Sequence, residues 1–136
     1  MAWTTRVTVG GCSLLLVLVP GLLLAVSTVA HAEHRVLDGH EIFDLLAGNT
    51  AMGVTGGTAF RQYYYPDGQT IWLMEGGEPA NGRWRLTEEG KYCVLFRFGD
   101  WACYAVTADG DSAIWVREGN RPFPARVVKG RQLYFD

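Results

Sequence analysis

Three tripeptides constrain the fold of this chain more than anything else in it: Pro66-Asp67-Gly68, Glu88-Glu89-Gly90 and Ala108-Asp109-Gly110. Each separates two runs rich in aromatic and β-branched residues. A three-residue hairpin loop is commonly a type I turn closed by a left-handed residue, a position glycine fills without steric cost. Three in succession predict an antiparallel meander, with strands near 59–65, 69–75, 82–87, 91–97, 101–107 and 111–118. A hairpin about Gly130, with strands at 124–129 and 131–135, and a short strand at 51–55 bring the expected total to about nine.

The helical signal lies upstream of these strands. Asp38 is an N-cap with Glu41 three residues on, a capping-box spacing; Ile42, Phe43, Leu45 and Leu46 form an apolar stripe, and Gly48 ends it. The expected fold is mainly β: an antiparallel meander curved into a small sheet or barrel of lipocalin-like size, with one short N-terminal helix packed on it or closing one end.

The first 32 residues read as a signal peptide and residues 33–136 as a single β-rich domain. Arg6 is the only charge before Glu33, Leu14 to Val26 is almost wholly apolar, and Ala30-His31-Ala32 is a small-x-small cleavage site. Pro20-Gly21 interrupts an apolar core already short for a membrane span, so no stable span is expected after cleavage. Cys12 precedes the apolar run, opposite to a lipoprotein box. The expected location is periplasmic or extracellular. Cleavage would leave 104 residues with 11 basic and 14 acidic side chains, a net charge of −3 that favours neither nucleic acid nor an anionic membrane surface. It would also leave an even cysteine pair, Cys93 and Cys103, in a compartment where disulfides persist. Closing that short loop is worth about 2–3 kcal/mol.

The turns imply a register. Pairing Thr87 with Lys91, Cys93 with Cys103 and Thr107 with Asp111 collects Trp84, Leu86, Tyr92, Val94, Ala102, Tyr104, Ile114 and Val116 on one face, the expected core. The opposite face collects Arg83, Leu95, Trp101 and Arg117 in one row, with Arg85, the cysteine pair and Trp115 in the next. Arginines over tryptophans are ordinary cross-strand stabilisation, or the face lies under the helix with Glu41 or Asp44 pairing an arginine. The same residues, Arg83, Arg85, Trp101, Trp115 and Arg117, are the candidate ligand-binding set, suited to an anion or a glycan. Pairing Tyr65 with Gln69 places Phe60, Gln62, Tyr64, Thr70, Trp72 and Met74 on one face of a hairpin that is apolar on both sides.

No catalytic constellation stands out. The part after residue 32 has one serine, Ser112, and two histidines, His34 and His40, near its start. Both cysteines are committed to a disulfide. His34, His40 and Glu41 match no strong metal signature, Asp109-Gly110-Asp111 lacks the other ligands of a calcium loop, and Gly53 with Gly56-Gly57 lacks the strand-to-helix transition of a phosphate loop. No catalytic residue, metal or cofactor is assigned. Glu75, Glu78, Asp67 and Asp100 are unplaced carboxylates.

Gly48-Asn49-Thr50, Gly53, Phe60, Tyr63-Tyr64-Tyr65-Pro66-Asp67-Gly68, Gly82 with Trp84, Cys93, and Trp101 with Cys103-Tyr104 form a pattern running from about Leu45 to Trp115. It resembles a family of small exported proteobacterial proteins catalogued as a domain of unknown function. The resemblance implies a fold and an exported location and carries no catalytic residues; Arg83 departs from it where a small or hydroxyl residue is expected. The expected function is a non-enzymatic module of the cell envelope that binds a small ligand or an envelope protein. The alternatives are a carboxylate-dependent hydrolase, or a protein inhibitor or assembly factor that inserts Arg121-Pro122-Phe123-Pro124 and Tyr63-Tyr64-Tyr65 into a partner.

Overall fold

Local signals dominate the start of the domain. The computed structural model describes residues 34–136; the expected signal peptide and Cys12 lie outside the described residues. Strand β1 (Arg35–Val36) leads into helix α1 (Gly39–Leu46), whose capping box is formed: Glu41 N donates to Asp38 Oδ1 at 2.9 Å and Asp38 N to Glu41 Oε2 at 2.9 Å. Ile42 and Leu46, four apart on one face, are both 0% exposed. Eight strands follow: β2 (Asn49–Thr55), β3 (Thr58–Tyr64), β4 (Gln69–Met74), β5 (Ala80–Leu86), β6 (Tyr92–Phe96), β7 (Ala102–Asp109), β8 (Ser112–Val116) and β9 (Phe123–Lys129).

Each of these strands pairs antiparallel with its neighbours in sequence. Pairing of β9 with β2 closes the meander into a barrel, and β1 adds to the edge of β7. Closure leaves no edge among β2–β9 unprotected along its whole length. Among the described residues no helix is long and apolar enough to cross a membrane.

Two of the three loops behave as their sequences predict. Tyr65 N donates to Gln69 O and Thr87 N to Lys91 O, both at 2.9 Å, with Gly68 at φ +93° and Gly90 at φ +76°. Both hairpin registers hold, and Cys93 pairs with Cys103 across β6 and β7 and is disulfide-bonded to it.

The third hairpin differs. Asp109 pairs with Ser112, so the loop is two residues, Gly110-Asp111, with Gly110 at φ +60° as a II′ turn requires of its first residue. Asp111 is held toward β9: its carboxylate accepts from Arg126 Nε at 2.7 Å and its carbonyl from Val127 N at 2.7 Å. Thr107 therefore pairs with Ile114 rather than Asp111, an odd shift that turns β8 over. Trp115 enters the core at 4% exposure, while Val116 is exposed and Ile114 is only half-buried.

The expected hairpin about Gly130 does not form. Both edges of β9 are already taken by β8 and β2, leaving nothing for a strand at 131–135 to pair with. That segment instead runs over the outer wall, where Gln132 N donates to Thr50 Oγ1 at 3.0 Å.

The helix closes one end of the barrel. Ile42 and Leu46 join Leu37, Tyr64, Trp84 and Val106 in one buried cluster, and Phe43 stacks on Trp84 with centroids 5.9 Å apart. Gly90 brings the β5–β6 loop against the helix start, where a Cβ on Gly90 would sit 3.2 Å from Gly39 N.

Candidate ligand-binding cavity

The interior is filled at the helix end and hollow toward the other. Along β3 and β4 the inward residues are Phe60, Gln62 and Tyr64, paired with Met74, Trp72 and Thr70. Opposite them stand Tyr92, Val94 and Phe96 of β6, Tyr104 of β7, Trp115 of β8 and Phe123 of β9. With Ala51, Phe60, Gln62, Tyr64 and Trp72 these six surround a cavity of about 390 Å³, within the range typical of small-molecule sites.

Two inward glycines shape this wall. Gly53 pairs with Phe60 and Gly82 with Phe96. A Cβ on Gly53 would lie 2.9 Å from the Phe60 ring, and one on Gly82 only 2.6 Å from the Phe96 ring and from Leu95 O. The absent side chains let both rings lie across the neighbouring strand. Phe60 in turn stacks on Trp72, centroids 4.5 Å apart and planes 6° from parallel, and Phe123 leans on both.

The polar groups divide between floor and mouth. Deep in the barrel Gln62 Nε2 donates to Thr70 Oγ1 at 3.0 Å and to the Tyr92 hydroxyl at 3.3 Å, and Thr70 Oγ1 donates to Tyr63 O at 2.8 Å. Burial pushes the Tyr64 and Tyr92 pKa values well above the ordinary tyrosine value, so both hydroxyls stay neutral. At the mouth Asn120 and Arg121, both exposed, complete the lining. The floor thus offers neutral hydrogen-bonding groups, and among the described residues the one charge on the lining stands at the entrance.

The sequence-predicted site residues separate into two groups. Arg83 and Arg85 project from the outside of β5, and Arg85 places its guanidinium 4.2 Å from the centroid of Trp101. These three stay on the outer wall, beside the disulfide. The turned-over β8 carries Trp115 to the cavity and brings the Arg117 guanidinium 6.0 Å from the ring of Tyr104, a lining residue. The five therefore do not form one face. Glu41 pairs with Arg35 at 2.7 Å rather than with an arginine of β5. His40 Nδ1 lies 3.2 Å from Asp44, and the described residues hold no cluster of three or more metal-ligating side chains. Among the described residues no carboxylate lines the cavity, and Asp67, Glu75, Glu78 and Asp100 all lie elsewhere.

No family model, curated protein or solved structure matches this chain.

Proposed function

We propose that this protein is an exported, non-enzymatic binding module that takes one small, uncharged, largely aromatic or apolar molecule into its barrel. The observation that carries this reading is the cavity: about 390 Å³, walled by Phe60, Trp72, Trp115 and Phe123 and closed at one end by the helix. Burying a ligand there gains roughly 25 cal/mol for each Å² of apolar surface removed from water. A charged group carried to the floor would meet no counter-charge, whereas one left at the mouth would meet Arg121. The apolar leader, the disulfide and the resemblance to small exported proteobacterial proteins support a periplasmic or extracellular setting.

The test uses N-phenyl-1-naphthylamine, a neutral aromatic fluorophore that brightens in apolar surroundings. Titration of the oxidised protein is expected to give saturable one-to-one binding. Val94→Trp fills the cavity from β6 and is expected to abolish it with the fold retained, while Trp101→Ala on the outer wall leaves it intact. Loss of binding in Trp101→Ala with full binding in Val94→Trp would move the site outside the barrel and refute the proposal.

A further inference from the structure

On the outer wall, away from the cavity, Met52 of β2 is flanked by Arg61 of β3 on one side and Arg126 of β9 on the other. Adjacent strands lie about 4.8 Å apart, so two cations straddle one residue. Arg61 is only 8% exposed. Its Nε is buried without a hydrogen-bond partner, and its Nη1 reaches the Met52 thioether sulfur at 3.7 Å, a weak acceptor. Its guanidinium lies 5.4 Å from the ring centroid of Tyr134 and 5.3 Å from that of Phe135. Among the described residues no carboxylate stands within ion-pair distance of Arg61.

Buried arginines are ordinarily paired, because an uncompensated interior charge is strongly unfavourable. The two aromatic contacts are weaker than an ion pair and leave the Nε donor without an acceptor. Met52, Arg61, Arg126 and Phe135 line one hollow of about 360 Å³. Arg126 gives its Nε to Asp111 at 2.7 Å while Arg61 has no such partner, so the pair of arginines keeps a net positive charge.

We infer that this hollow is a second ligand site, for a phosphate-class oxyanion held between Arg61 and Arg126 with Met52 and Phe135 as its apolar border. A guanidinium fork matches an oxyanion edge. One fork saturates both oxygens of a carboxylate, whereas a tetrahedral anion also presents oxygens to a cation approaching from a second side. The site stands apart from the barrel cavity and does not depend on it.

Isothermal titration at constant ionic strength, with inorganic phosphate and separately with phenyl phosphate, tests the inference. Saturable binding is expected, weakened about tenfold or more by Arg61→Met or by Arg126→Met, and unchanged in Val94→Trp. Binding of inorganic phosphate assigns the site to the free ion. Binding of phenyl phosphate alone assigns it to an anionic group on an apolar body. The inference is overturned if neither anion binds, or if both arginine variants bind as the wild type does. Arg126 is exposed, so its variant keeps the test open should Arg61→Met fail to fold.

Discussion

The indole nitrogen of Trp115 is buried without a hydrogen-bond partner, although its ring lines the cavity. An unpaired buried donor costs about 1–3 kcal/mol, which partly offsets what the ring contributes by packing. Trp115→Phe removes the donor and keeps an aromatic wall, so its expected cost is below about 1.5 kcal/mol. Trp115→Ala, which removes the wall, is expected to cost about 3–5 kcal/mol. Chemical denaturation of both variants checks this; a loss in Trp115→Phe as large as in Trp115→Ala would contradict it. At this scale the sequence is legible wherever alternation is anchored by a nearby turn. Phe60, Gln62, Tyr64 and Trp72 share one face of their hairpin, and Trp84, Tyr92 and Val94 one face of theirs, as their spacing predicts. Trp115 and Arg117 do not follow the prediction, because their side of the sheet depends on whether one loop holds two residues or three. The side chains that decide it, Asp111 and Arg126, are 15 positions apart in sequence.

Among the elements, helix α1 is the most locally determined. Arg35 and the Asp38 backbone hydrogen-bond to Glu41 and lower its pKa from the ordinary 4.5 to about 2. A depressed carboxylate pKa stabilises the folded state above the unfolded value and loses that contribution as pH falls through the folded one. The difference in melting temperature between the wild type and Glu41→Gln is therefore expected to be widest above about pH 4.5 and to vanish near pH 2. The pair is exposed to solvent, so added salt should shrink that difference. A gap that stays constant across the pH range contradicts the assignment. The capping box, the helix and two of the three loops could be read from the sequence because each is settled within a few residues. The strand at 131–135 could not be judged that way: whether it forms depends on free edges, and those are a property of the closed sheet.

For the whole molecule, closure is the decisive event. It pairs β9 with β2, some 75 residues apart, through contacts such as Thr50 with Val128 and Ala51 with Val127. No local signal announces that pairing, which is why the meander is legible and the choice between open sheet and barrel is not. Closure also converts an apolar face into a walled cavity, and the candidate site moves with it from outer arginines to inner aromatics. Phe123 and Arg121, read first as part of a loop inserted into a partner, become wall and mouth. The most direct test is a crystal structure of the protein soaked with N-phenyl-1-naphthylamine. The account predicts probe density inside the barrel, against the stacked Phe60 and Trp72 and within reach of Trp115 and Phe123. Probe density confined to the outer wall beside Arg85 and Trp101, with the barrel interior collapsed, would contradict it.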